Sequence, residues 1–394
     1  MSTIDEFRLA IPDSVLADLR TRLQQTRWPE RETVNDWTQG APLERVRELC
    51  HYWATNYDWR RCEARLNAFG QFRTNLNGLG IHFLHVRSSR RDAIPLLLTH
   101  GWPGSIIEFL EVLDPLTDPA AHGAGSAPAF HVVAPSLPGF GFSDKPAATG
   151  WGVERIAAAW VELMRRLGYQ HFVAQGGDWG STITTALAMA RTPECVAVHL
   201  TMPLVFPTAQ DMADLTPAEE AAVRTLQSFD GADSGYAKQQ STRPQTLAYG
   251  LTDSPAGQAA WIYEKFHAWT DNDGTAESAV DRDALLDNIM LYWLPAAAGS
   301  SARLYWESLH SFKPQPLVIP VGVSVFPKET IRPSRRWADR CYSNIIHWNE
   351  LASGGHFAAL EQPDIFVQEI RDCFGKVRAG FASKETPAVG IVAP

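Results

Sequence analysis

The chain is predicted to be an α/β protein: a mostly parallel sheet with helices on both faces, a helical insertion, and a helical N-terminal extension. Three observations lead there. From Pro95 to Leu200 short apolar runs alternate with helical stretches, the rhythm of successive βαβ units. That rhythm stops after Thr201 for about 110 residues and resumes at Pro316–Val321. Between these, Phe172-Val173-Ala174-Gln175 breaks into Gly176-Gly177-Asp178-Trp179-Gly180. A short strand thus enters a glycine-flanked turn with an acid at its tip.

In chain order, residues 1 to about 75 read as helical. Asp13 and Ser14 are candidate caps for Val15–Leu23, Trp28-Pro29 stops that helix, and Leu43–Tyr57 suggests another. Ile81–Val86 reads as a strand in a hairpin with Phe72–Leu76, turning at Gly78-Leu79-Gly80. Strands follow at Pro95–Thr99, Phe130–Ala134, Phe172–Gln175 and Val196–Leu200. Helices fall at Ser105–Leu113, Val153–Leu167 and Ser181–Ala190. Residues 122–128 are a surface loop, and further strands are expected at Pro316–Val321 and Asn344–Trp348. The implied layout is an extension over 1–85 wrapping the core, core segments at 86–205 and 311–384, a helical lid at 206–310, and a tail at 385–394. Residues 382–394 are expected to be loosely ordered.

Composition narrows the function. With 394 residues, 45% of them hydrophobic, one large core plus an inserted subdomain can be buried. A formal charge of −9 argues against a nucleic-acid partner, which needs a basic face. Five scattered cysteines without paired spacing read as buried thiols in a reducing compartment. The N-terminus is polar and acidic and no apolar run approaches a membrane span, so a soluble cytoplasmic protein is expected. No metal-ligand motif and no dinucleotide or phosphate loop is present, so neither metal nor cofactor is expected.

The turn at 176–180 has the form of the elbow of α/β-hydrolases, in which a sharp strand-to-helix turn lifts a nucleophile above the sheet. Its tip is Asp178. A carboxylate acylates poorly but alkylates well, attacking saturated carbon to leave an ester on the enzyme. That points to epoxides or alkyl halides. His100-Gly101-Trp102-Pro103-Gly104-Ser105 directly follows a strand where this fold supplies an oxyanion donor, so the amides of Trp102 and Trp179 are the expected oxyanion hole. Of twelve histidines, His356 lies in a glycine loop after the last strand, where the fold places its base. The orienting acid should follow the strand before that. Glu329 in Phe326-Pro327-Lys328-Glu329 is the first carboxylate there, with Asp339 and Glu350 as competitors. Ser181 falls in the helix beyond the elbow and would not be presented at its tip.

Together these segments resemble a microsomal-type epoxide hydrolase, an α/β-hydrolase with a long N-terminal extension and a helical lid. The resemblance runs from Phe7 to about Phe374. It is carried by WATNYDW at 53–59, GLGIHFLHV at 78–86, HGWPGS at 100–105, PSLPGFGFSD at 135–144, QGGDWGS at 175–181, VFPKE at 325–329 and GGHFAALEQP at 354–363. It implies Asp178 as nucleophile, His356 as base and Glu329 as acid. It also implies two lid tyrosines that hydrogen-bond the epoxide oxygen, matched by Tyr305 and Tyr236, with Tyr249, Tyr263 and Tyr292 as rivals. The membrane anchor of microsomal members has no counterpart, which favours a soluble bacterial-type enzyme. The link from Tyr305 to the next strand is short, so the pocket is expected to differ there.

The expected partner is a small-molecule epoxide, with no nucleic acid and no membrane; a homo-oligomer is left open. Two other readings stand beside it. A dehalogenase would use the same Asp/His pair with indole donors such as Trp102 and Trp179, and an idle small-molecule receptor could keep the fold. Aromatic residues in the lid (Trp261, Phe266, Trp269, Trp293, Trp306) suit a bulky aromatic epoxide or else pack as lid core. Detoxification and secondary metabolism are both open.

Overall fold

A computed structural model describes residues 3–380; the tail expected to be loosely ordered lies outside them. Among the described residues nine strands form one sheet in the order β1-β2-β3-β5-β4-β6-β7-β8-β9. They are β1 (Ile4–Glu6), β2 (Gln71–Leu76), β3 (Leu79–Val86), β4 (Ile94–Thr99), β5 (Phe130–Pro135), β6 (Phe172–Gly176), β7 (Cys195–Leu200), β8 (Val321–Val325) and β9 (Ile345–Glu350). The first three pair antiparallel and β3 joins β5 antiparallel; the remaining neighbours are parallel. β4 and β6 are buried along their whole length, as parallel strands sandwiched between helical layers must be. One layer pairs helices Val153–Arg166 and Asp178–Ala190; the other pairs Leu110–Thr117 and Pro363–Phe374.

Several elements depart from the expectations, each for a local reason. β1 is an addition: three mostly exposed residues carry no readable alternation, and backbone pairing with β2 alone defines them. The first helix, Asp13–Gln24, is preceded by Pro12 and has no side-chain cap. Asp13 instead stands in its first turn, where a carboxylate suits the helix dipole. A further helix, Trp59–Ala68, starts from Asp58, which accepts the Arg60 amide. The helix expected from Ser105 is split into a 3₁₀ turn, Ile106–Phe109, and Leu110–Thr117. The strand expected at 316–321 begins only at Val321. Pro316 and Pro320 offer no N–H to a ladder, and Leu317 makes just an isolated bridge with Tyr342.

Between β7 and β8 the regular structure is helical: Pro217–Ser228, Gly235–Thr242, Pro244–Asp253, Pro255–Trp269, Arg282–Trp293 and Ala298–Ser308 are its main helices. Three of these begin on proline, whose missing N–H costs nothing at a first turn. The N-terminal helices grip this insertion. Tyr52 and Tyr57 donate to Asp283 at 2.9 Å and Asp287 at 2.7 Å, and Arg61 pairs with Asp287 at 2.8 Å. Among the described residues no helix is long and apolar enough to cross a membrane.

Candidate active site

Because β4, β6, β7, β8 and β9 run parallel, their C-terminal ends share one edge, the usual place for a site in such sheets. Asp178 leaves the end of β6 with φ of 49°, a left-handed strain that non-glycine residues rarely tolerate. The turn is tight enough to exclude side chains around it. A Cβ on Gly180 would lie 1.8 Å from the Thr99 carbonyl oxygen, and one on Gly101 would lie 2.1 Å from Asp178 Oδ1. The helix begins at Asp178 itself, three residues earlier than expected, so the carboxylate sits at the positive end of a helix dipole.

Two groups are held against that carboxylate, the Trp102 amide and His356, and the Trp179 amide follows it in the chain. The Trp102 amide donates to Asp178 Oδ1 at 2.7 Å. Trp179 is the second residue of the helix, where backbone amides have no partner within the helix. His356 Nε2 lies 3.4 Å from Asp178 Oδ2, and its Nδ1 faces Glu329 Oε1 at 2.9 Å and Oε2 at 3.1 Å. Glu329 is 1% exposed and His356 6%. Asp339 and Glu350, the rival acids, are exposed at the surface. Burial by itself would depress the His356 pKa, but Glu329 and Asp178 outweigh it and raise the imidazole well above its ordinary value. Two carboxylates thus favour the imidazolium form of His356 in the resting site.

Asp178 and His356 line a cavity of about 450 Å³ with Tyr236 and Tyr305. Tyr236 lies flat on Trp102 (4.8 Å, 12°), while Tyr305 stands edge-on to Trp179 at 4.9 Å and to Tyr236 at 5.7 Å. The buried Tyr305 hydroxyl makes no hydrogen bond of full geometry among the described residues, though the side chains of Tyr236 and Trp179 are near enough to act on it. Burial and then neighbouring charge raise both phenols well above their ordinary pKa, so both are neutral donors. The rivals are occupied elsewhere. Tyr249 is 71% exposed, Tyr263 donates to Glu277 at 2.9 Å and Tyr292 to the Gly104 carbonyl at 2.7 Å. Ser181 is buried and donates to the Met202 carbonyl at 2.6 Å. Of the five aromatic residues singled out in the insertion only Trp269 lines the cavity; Trp306 is half exposed, and Trp179, Phe206, Phe229 and Phe312 supply the other rings beside the two tyrosines.

Sequence reasoning missed the supports of the histidine loop. The His356 amide donates to the Trp269 carbonyl at 2.9 Å, and the Trp269 ring meets His356 edge-on at 4.9 Å. Glu361 accepts the amides of Phe357 at 2.9 Å and Asp271 at 2.7 Å, and burial pushes its carboxyl up to about 7. Glu361 lies inside the GGHFAALEQP segment, so proximity in sequence was the available signal. Glu108, just past the loop that follows β4, is likewise pushed up to about 8 by burial. Away from this site, His199, His347 and Glu369 bring potential ligand atoms within 4.8 Å of one another. There Glu369 already accepts from His347 at 2.7 Å, Ser324 at 2.5 Å and Asn349 at 2.7 Å.

The sequence profile described as Epoxide hydrolase N terminus matches residues 4–109, and that of the alpha/beta hydrolase fold matches 94–252. A putative epoxide hydrolase of Stigmatella aurantiaca is 58% identical over 95% of this chain and 86% of its own length. Epoxide hydrolase 1 of Sus scrofa is 34% identical over 95% and 89%. Among solved structures, the epoxide hydrolase of Aspergillus niger superposes with a TM-score of 0.87 at 32% identity, covering 95% of this chain and 97% of that one. The juvenile hormone epoxide hydrolase of Bombyx mori gives 0.88 at 30%, covering 96% of each. The chain therefore belongs to the epoxide hydrolase family and carries its hydrolase activity on an α/β-hydrolase fold.

Proposed function

We propose that the enzyme opens a lipophilic epoxide to a vicinal diol through an ester on Asp178. An Asp178 oxygen attacks an epoxide carbon, forming a C–O bond as the ring C–O bond breaks. Tyr305 and Tyr236 donate hydrogen bonds to the departing oxygen and supply its proton. The product of this step is a hydroxyalkyl ester. Esterification removes the Asp178 charge, one of the two carboxylates that hold His356 protonated. Burial still disfavours the imidazolium, so its pKa falls; the proton it gives up restores the phenol that ring opening left as phenolate, and the neutral ring becomes available as a base. Held through Nδ1 by Glu329, His356 then takes a proton from water, and the hydroxide adds to the ester carbonyl. The amides of Trp102 and Trp179 hold the resulting oxyanion, and its collapse releases the diol and regenerates the carboxylate.

One observation carries this reading: a carboxylate at the elbow shares its cavity with a buried phenol that makes no hydrogen bond of full geometry among the described residues. A leaving alkoxide needs such a donor, whereas a halide is better served by indole or amide N–H groups; the Trp102 indole lies flat on Tyr236 and the Trp179 side chain is engaged with the Tyr305 hydroxyl. The apolar rings around the cavity support a lipophilic substrate. Five free cysteines suit the reducing cytoplasm, where we place the enzyme. The test is turnover of styrene-type and trans-disubstituted epoxides against alkyl halides of matched size. Diol formation from epoxides with no halide release is expected; halide release without diol formation would transfer the site to dehalogenation.

A further inference from the structure

The helix Pro255–Trp269 buries an ammonium beside the catalytic cavity. Lys265 is 2% exposed. Its Nζ is held by Asp233 Oδ1 at 2.6 Å, Glu264 Oε1 at 2.9 Å and the Asp233 carbonyl at 3.4 Å. An ammonium loses its hydration in such a place, and only close carboxylates offset that loss. Packing alone would be served by methionine or leucine, so the charge calls for another reason.

Two rings supply it. Nζ stands over the Tyr236 ring, 4.8 Å from its centroid, and 5.6 Å from that of Trp269. Trp102 lies parallel to the same phenol at 4.8 Å, so the indole and the ammonium both pack on the Tyr236 ring. Asp233 ties the group together, because its second oxygen accepts the Trp269 indole N–H at 2.5 Å. Trp269 in turn stands edge-on to Tyr236 at 5.2 Å. The backbone explains why an external tie is needed. Asp233 ends a π-helical turn, Phe229–Asp233, and the next helix, Gly235–Thr242, opens without a side-chain cap. The start of the segment that presents Tyr236 is thus fixed to its neighbour through Asp233 and Lys265.

We propose that Lys265 is a positioning residue for epoxide opening: its ammonium helps hold the Tyr236 ring on Trp102 and strengthens the phenol as a donor while the alkoxide forms. This rests on the reading of Tyr236 as such a donor. A cation on a ring face is attracted to the π-cloud and draws electron density from the ring, so the O–H donates more strongly as negative charge grows opposite it. Lys265 is not among the residues lining the cavity, so it acts through Tyr236 and not on the substrate.

The test is single-turnover alkylation, read by tryptophan fluorescence and by the mass of the ester. Its substrate is the styrene-type epoxide that the wild type turns over fastest. Lys265→Met is expected to slow alkylation about 2–30-fold, the range of a cation–π contact, and to leave ester hydrolysis unchanged. In a Tyr236→Phe background it should add nothing, and Lys265→Arg should recover part of the rate. Because Lys265→Met leaves Asp233 and Glu264 without their ammonium, the companion variant combines Lys265→Met with Asp233→Asn and Glu264→Gln, which leaves no unpaired carboxylate behind and should stay slow. Recovery of wild-type alkylation in that companion would reduce Lys265 to packing and overturn the proposal alone. So would a loss from Lys265→Met that is equally large with Tyr236 intact and in the Tyr236→Phe background. Wild-type alkylation in Tyr236→Phe itself would instead remove Tyr236 from the mechanism, and the proposal with it.

Discussion

Replacing Tyr305 by phenylalanine deletes one oxygen that is buried and makes no hydrogen bond of full geometry among the described residues, while the ring keeps its contacts with Trp179 at 4.9 Å and Tyr236 at 5.7 Å. The two consequences have opposite signs. An unsatisfied buried hydroxyl costs a folded protein about 1–3 kcal/mol, so Tyr305→Phe is expected to be more stable than wild type by about 1 kcal/mol. For a chain of this length that is a rise of roughly 1 °C in Tm. In the transition state the same oxygen faces a growing alkoxide in a site shielded from water, and losing such a donor costs ~10²–10³ in rate. Urea unfolding measures the first effect and stopped-flow tryptophan fluorescence the second. Alkylation at the wild-type rate would refute the role given to Tyr305. A loss of stability near 1 kcal/mol or more would refute the premise that its hydroxyl is unsatisfied.

Other outcomes follow from the same geometry. His356→Gln should still alkylate and then stall, with intact mass spectrometry showing an adduct of one substrate; an unmodified protein with substrate demonstrably bound would contradict the division of steps. Glu329→Gln should slow ester hydrolysis yet retain more activity than His356→Gln, because it orients the ring and does not react; wild-type hydrolysis would move that role to another carboxylate. Alkylation needs no base, so its rate should stay flat with pH, while hydrolysis should rise with pH as His356 in the ester form loses its proton. Its midpoint should lie below the raised pKa of His356 in the resting enzyme; a midpoint above it would contradict the charge argument. Burial raises the Glu108 carboxyl from 4.5 to about 8, so the contribution of this one group to native stability should fall as pH climbs between those values. Glu108→Gln, which mimics the protonated acid, should be more stable than wild type in urea at pH 9, with the difference vanishing near pH 4; equal stability at pH 9 would place that carboxyl in water.

The parts of this molecule legible in sequence are those where backbone geometry demands a residue type. The elbow needs Gly180 because the Thr99 carbonyl occupies the space of a side chain, and the loop after β4 needs Gly101 because Asp178 does. Such demands are local, so a few consecutive residues carry them. His356 and Glu329 were reachable because strand order fixes where each loop must emerge. What stayed hidden depends on contacts between distant residues. Glu361 holds Asp271 across 90 positions, and Lys265 reaches Asp233 across 32. Which aromatic residues of the insertion face the cavity is decided by helix packing, and so Trp269 lines it while Trp306 is half exposed. The misplaced strand before Glu329 has a simpler cause. Apolar composition suggested Pro316–Val321, but prolines at 316 and 320 postpone the ladder to Val321.

Everything proposed for this site depends on an ester forming at Asp178, and one turnover in ¹⁸O-labelled water tests it. With enzyme in excess over epoxide, the new diol oxygen must come from the unlabelled carboxylate, leaving the label on Asp178, where a peptide mass shift of one ¹⁸O should be found. Diol fully labelled in that first turnover, with Asp178 unlabelled, would mean that water attacks the epoxide directly and that no ester forms.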